Sequence, residues 1–110
     1  MRLAALTVAI AVLAACGGGA SCDLREAEDP PRCQQRTGVQ GTPLFSEFCD
    51  PIGGTGVTGG CPDPDLIVGG CKQTTVGGEI IDWYYEPVTE DEIRTICEEE
   101  DDVFVPGSEA

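Results

Sequence analysis

Seven cysteines carry most of the chemistry available to this chain: Cys16, Cys22, Cys33, Cys49, Cys61, Cys71 and Cys97. Thiols can bind zinc, act as nucleophiles or form disulfides. Zinc sites want two close Cys pairs or Cys–His pairs. From Cys22 onward the intervals are 11, 16, 12, 10 and 26 residues, and the chain has no histidine. The spacing therefore points to structural bridges, six cysteines forming three disulfides in an oxidising compartment. Six cysteines allow 15 connectivities, and spacing does not choose among them. The absence of histidine also removes the usual general base near neutral pH. Ser21, Ser46 and Ser108 lack a G-x-S-x-G setting. Nothing in the sequence places Lys72, the only lysine, beside a serine. With 20 acidic residues some carboxylate pair is inevitable, so no single pair is diagnostic. The reading is a protein that is not an enzyme and has no cofactor.

Two further groups are candidates for binding. Glu98, Glu99, Glu100, Asp101 and Asp102 form an acidic run at the end of an expected helix. Carboxylates there oppose the helix dipole, and a hard cation such as Ca²⁺ would offset them. No EF-hand spacing is present, so a solvated surface is the plainer account and the run is a weak metal candidate. Trp83, Tyr84 and Tyr85 are the second group. On a strand, Trp83 and Tyr85 face one side and Tyr84 the other. They form either the core or, on an open face, an aromatic surface for a protein or polysaccharide.

Cys16 follows a short apolar run. Arg2 precedes Leu3 to Ala15, which Thr7 alone interrupts. A positive start, a short apolar stretch and small residues before a cut are the marks of a secretory signal. The run is well short of the ~20 residues that cross a bilayer as a helix. The alternative is an ordinary cleaved signal with an incidental cysteine nearby. Leu13-Ala14-Ala15-Cys16 resembles the bacterial lipobox at every position. The resemblance implies cleavage before Cys16, a diacylglyceryl thioether on its sulfur and often a palmitate-like acyl chain on its new amino group. Two or more chains give stable anchoring where one gives marginal binding. It also implies residence in the bacterial cell envelope. Gly17 at the next position leans toward the outer membrane. The motif accounts for the odd cysteine count: one thiol for lipid, six for bridges.

The expected organisation is a signal peptide over 1–15, a lipidated cysteine and flexible tether over 16–21, a disulfide-rich domain over 22–105 and a tail over 106–110. Loss of Arg2 leaves five basic residues against 20 acidic ones, net −15. Nucleic acid binding is disfavoured, because phosphate contacts need clustered Lys and Arg. Only six aromatic residues are present, and Gly and Pro are abundant, so the core is small and depends on its bridges.

The elements that must position these groups read as a small disulfide-rich α+β fold. A central β-hairpin over about 66–76 and 79–86 turns at Gly77-Gly78. Two short helices cover it, one over about 43–49 and one over about 90–100. The second opens on the capping box Thr89 to Glu92. Residues 33–36 read as a short strand, 53–60 as a loop or weak strand, and 103–105 as a terminal strand. An internal echo is also present. With Cys49 laid over Cys97, Phe45 falls on Ile93, Phe48 on Ile96, Gly53-Gly54 on Asp101-Asp102 and Val57 on Val105. Each unit reads as a helix ending near a cysteine, a turn, then an extended segment, both packed on the central hairpin.

Gly60-Cys61-Pro62, Val68-Gly69-Gly70-Cys71, Trp83-Tyr84-Tyr85 and Glu92-Ile93-Arg94 leading to Cys97 resemble small cysteine-rich lipoproteins of environmental bacteria. Similar chains keep glycines where Asp101-Asp102 stand here. The resemblance implies no particular activity. The functional expectation is a membrane-anchored envelope module that binds an envelope protein or polysaccharide. The alternative is a small disulfide-stabilised inhibitor or cation-binding protein, presenting a rigid loop such as Gly53 to Asp65.

Overall fold

The computed structural model describes residues 19–38 and 44–110. They form one six-stranded antiparallel sheet in the order β3-β1-β2-β5-β4-β6. The strands are β1 (Ala20–Asp23), β2 (Arg32–Arg36), β3 (Thr55–Thr58), β4 (Ile67–Thr75), β5 (Gly78–Tyr85) and β6 (Val103–Pro106). Two α-helices accompany them among the described residues: α1 (Leu44–Cys49), barely a turn and a half, and α2 (Glu90–Glu99). Thr89 caps α2 by accepting from the Glu92 N–H, and Glu92 reaches back to the Thr89 N–H. This satisfies donors that the first helical turn leaves open.

This architecture corrects the expected α+β hairpin with two helices. The pair β4–β5 is one of five antiparallel pairings, and α2 is the one helix of substantial length. β2 falls on the short strand expected over 33–36, while β1 comes from a stretch read as tether and irregular chain and β3 from one read as a loop or weak strand. Ala20 and Ser21, expected in the tether, belong to β1, where Ser21 is fully buried and its hydroxyl donates to the Gly59 carbonyl at 2.6 Å. Pro106, expected in the tail, ends β6. The short strands survive because neighbours on the sheet supply the hydrogen bonds and packing that local composition lacks.

The strand order is a duplication. Each half is a hairpin, then a helical segment, then a strand that returns to the outer side of the first strand. Cys22 in β1 pairs across the sheet with Gly56 in β3, and Cys71 in β4 with Phe104 in β6. Cys22 is bridged to Cys49 at the end of α1, and Cys71 to Cys97 near the end of α2. The turns after the helices match in detail. Gly53 and Asp101 both have positive φ, 85° and 60°. The Gly54 N–H donates to the Cys49 carbonyl at 3.0 Å, and the Asp102 N–H to the Cys97 carbonyl at 2.8 Å. The halves join where β2 pairs with β5, Gln34 opposite Asp82. The echo expected two units on one shared hairpin; each unit instead carries its own.

Paired residues in an antiparallel sheet project to the same face. The row Gly56, Cys22, Gln34, Asp82, Cys71, Phe104 therefore puts both strand-to-helix bridges, and both helices, on one face. Under α1 lie Cys22, Leu24, Phe45 and Cys49; under α2 lie Cys71, Tyr84, Val88, Ile93 and Cys97. The other face holds Cys33, Ile67, Trp83, Tyr85 and Val105. The segment joining the halves crosses this face, tied by the Cys33–Cys61 bridge and by the Tyr85 hydroxyl, which donates to the Pro62 carbonyl at 2.6 Å.

Three substitutions test this packing. A Cβ at Gly70 would lie 2.7 Å from Trp83 Cε3 and 3.0 Å from the Asp82 carbonyl oxygen. Gly70→Ala is expected to lower unfolding stability by about 1–3 kcal/mol, while Gly60→Ala, whose Cβ would meet only Gln35 Nε2 at an ordinary 3.9 Å, stays within about 0.5 kcal/mol. Asp101 holds a left-handed conformation at a helix end where its half-repeat counterpart is Gly53. Asp101→Gly removes both the Cβ strain and a misplaced negative charge, and is expected to stabilise by roughly 0.5–1 kcal/mol in denaturant unfolding with disulfides intact.

Candidate functional site

The six cysteines from Cys22 to Cys97 form three bridges, 22–49, 33–61 and 71–97. They are fixed as structure, so none is a thiol ligand or nucleophile. Cys16 lies outside the described residues. Among the described residues, no group of three or more His, Cys, Asp or Glu side chains is arranged to hold a metal ion.

Trp83, Tyr84 and Tyr85 are interior, with exposures of 1%, 5% and 2%. They alternate between the faces, Trp83 and Tyr85 under the crossing segment and Tyr84 against α2. They present no aromatic surface. In so thin a domain they are the largest side chains available to fill either layer. Trp83 donates its indole N–H to Gln35 Oε1 at 2.8 Å. Burial pushes the Tyr84 and Tyr85 phenols up to about 12.

The acidic run divides. Glu98, Glu99, Glu100 and Asp101 are exposed, and Asp102 is half-buried. Glu100 and Asp102 are held above the usual carboxylate range, first by partial burial and then by the negative charge of Asp82. The run thus does not converge on one point. Its two perturbed members face a third acid on the sheet.

That third acid opens the feature local reading missed. α1 covers β1 and β3, and α2 covers β4 and β6, which leaves β2 and β5 between them as a strip. A hydrogen-bonded chain runs along it. Arg36 Nε donates to Gln34 Oε1 at 3.0 Å, and Gln34 Nε2 donates to Asp82 Oδ1 at 3.0 Å. Arg32 donates through Nη1 to Asp82 Oδ1 and through Nη2 to Glu28 Oε1 at 2.6 Å. The Arg36 guanidinium lies 4.2 Å from the centroid of the Phe45 ring. Arg32, Gln34, Arg36 and Asp82 are half-buried, so they are partly desolvated yet reachable. The strip offers guanidinium and amide donors beside carboxylate acceptors on a rigid sheet. That chemistry suits hydrogen bonding to a polar partner and contains no nucleophile–base pair. Arg32 and Asp82 lie far apart in sequence, so only the β2–β5 register brings them together.

A second polar site lies on the other face of the sheet, at the end of β1. Arg25 donates to both oxygens of Asp23, at 3.0 and 2.8 Å, and to Asp63 Oδ2 at 2.9 Å. Burial opposes ionisation of Asp23, but the Arg25 hydrogen bonds outweigh it and hold the carboxyl below its usual range. An open depression of about 390 Å³ beside this pair is lined by Asp23, Arg25, Glu26, Gly53 and Thr55. The ion pair binds the crossing segment to β1, a structural use that consumes the cation.

Comparison with protein-family models, with curated proteins and with solved structures finds no match.

The raised acids give a pH test. Asp102 has a folded pKa above its unfolded value near 3.8. The folded state then binds more protons in the interval between the two, so stability falls as pH rises through it. Asp102→Asn is expected to raise the melting temperature at pH 7 and to lose that advantage below about pH 3.8. An equal gain at both pH values would show that the effect is not electrostatic.

Proposed function

We propose that this chain is a lipid-anchored module of a bacterial cell envelope that binds a polar partner without catalysing a reaction. The observation that carries this reading is the closure of Cys22, Cys33, Cys49, Cys61, Cys71 and Cys97 on one another within one domain. Of the seven cysteines, that leaves Cys16, the lipobox cysteine, for lipid. Three bridges also fit an oxidising compartment. Among the described residues no helix is long and apolar enough to cross a membrane, so attachment in this reading falls to the anchor.

The strip along β2 and β5 supports binding rather than chemistry. Its Arg32, Gln34, Arg36 and Asp82 side chains form a fixed donor–acceptor row matched to sugar hydroxyls or to a peptide backbone, so an envelope polysaccharide or protein is the partner class. The inhibitor reading loses its main support. Within the loop it needed, Gly53 to Asp65, residues 55–58 form β3, and Cys61 and Pro62 are tied to the sheet rather than projecting.

Intact mass spectrometry of the mature protein is expected to show Cys16 as the first residue, acylated, with six hydrogens lost from the other cysteines. Cys16→Ser is expected to move the protein from the membrane fraction to the soluble fraction. A mature chain that starts elsewhere, or that carries no lipid, overturns the anchor. Crosslinking in native envelopes then identifies the partner, and Arg32→Ala with Arg36→Ala is expected to reduce its capture at least tenfold without altering the fold.

A further inference from the structure

We infer that β3 is an open sheet edge that takes an added strand from an extended, basic polypeptide segment. This surface is separate from the β2–β5 strip and holds whether or not the chain is lipid-anchored.

An open sheet has two edges, here β3 and β6. The Gly59 N–H donates to the Gly19 carbonyl at 3.1 Å, and on the other side of β1 the Leu24 N–H donates to the Arg32 carbonyl at 2.9 Å. Successive residues of an antiparallel strand alternate in which neighbour they bond. Thr55 and Val57 therefore bond β1, while Gly56 and Thr58 turn their N–H and C=O groups outward. Among the described residues no strand receives them. Thr55, Gly56 and Thr58 are exposed. Such a row of free backbone groups is a template for a further strand.

Only one of the two edges is protected. Proline and charged side chains are the common devices that keep an edge from pairing. With Cys49 laid over Cys97, Pro106 stands where Thr58 stands, at an outward-facing position, so β6 lacks the N–H that Thr58 offers. The residues leading into β6 are Glu98-Glu99-Glu100-Asp101-Asp102, and those leading into β3 are Asp50-Pro51-Ile52-Gly53-Gly54. β3 itself, Thr55-Gly56-Val57-Thr58, holds neither proline nor charge. From Pro51 to Pro62 no side chain is charged. Ile52, in the place of Glu100, is 60% exposed. The two halves thus differ at matching edges, β6 closed and β3 open.

Charge selects the occupant. At the Thr55 end, β3 opens onto the depression lined by Asp23, Arg25, Glu26, Gly53 and Thr55. Asp23 is opposite Thr55, so both project to the face away from the helices. A strand added to β3 places its residue opposite Thr55 on that same face, beside the depression. Arg25 is held between Asp23 and Asp63. Glu26 is exposed and makes no ion pair among the described residues. Asp23, Glu26 and Asp63 against Arg25 leave a net charge of −2 there. A lysine or arginine at that position of the partner meets complementary charge. A second copy of this chain fits worse. Antiparallel pairing about Val57 would bring Asp50 of one copy toward Asp63 of the other, like charge to like.

The test uses the full chain and a set of fluorescent heptapeptides that alternate threonine and valine, with lysine moved through each position in turn. One lysine register is expected to bind saturably, about tenfold more tightly than the same peptide with glutamate there. Thr58→Pro, which gives β3 the residue its counterpart carries, is expected to weaken binding about tenfold with an unchanged circular dichroism spectrum. Glu26→Lys is expected to remove the preference for lysine. Strand addition also has a signature in the unaltered protein. N-methylation of the alternate peptide amides that face β3 is expected to abolish binding, and methylation of the others to leave it. Equal loss from both methylated series, undiminished binding to folded Thr58→Pro, or no binding by any lysine peptide overturns the proposal. Sedimentation that shows a dimer, dissolved by Thr58→Pro, assigns the edge to a second copy and overturns it equally.

Discussion

The covalent link from strand to helix is the constraint on which this structure depends. Three small apolar clusters line a sheet of short strands, and α1 is far shorter than the 12–15 residues at which an isolated helix becomes even marginal. Burial of Phe45 alone does not hold such a segment against β1. The Cys22–Cys49 bridge does, and Cys71–Cys97 repeats the arrangement for α2. Sequence separations of 27, 28 and 26 residues correspond to about 3.5 kcal/mol of unfolded-state entropy removed by each bridge. That sum is comparable to the whole stability of a small domain.

Duplication explains the placement of two bridges and the exception of the third. The first and third bridges are equivalent, each joining the first strand of a half to its helix. Cys33–Cys61 has no counterpart in the second half. In β5 the residue opposite Cys33 is Trp83, so the second half contributes bulk where the first contributes a covalent tie. The tie fastens the segment that crosses from one half to the other. It therefore closes the layer over the very seam where β2 meets β5. The two halves have also parted in charge: Arg25, Arg32 and Arg36 come from the first half, while most acids lie in the second. The ion pair between Arg32 and Asp82 is that asymmetry meeting at the seam.

Sequence order made some of this legible. The capping box at Thr89 and the glycines at the β4–β5 turn are local signals, because each depends on residues within three or four positions. The alternation through Trp83-Tyr84-Tyr85 was readable as strand geometry, but whether its faces were covered was not. Coverage comes from α2 and from the crossing segment, both distant in the chain. β1, with its glycine and serine neighbours, and β3, which reads Thr-Gly-Val-Thr, carry almost no propensity. They are strands because Ala20 to Asp23 lies between two partners in register. Counting one strong hairpin as the centre, with helices around it, failed for this reason: the repeat was a whole half-sheet, and only its helix-and-turn portion showed in the residues. The strip of Arg32, Gln34, Arg36 and Asp82 was invisible for the same cause, since no local pattern links β2 to β5.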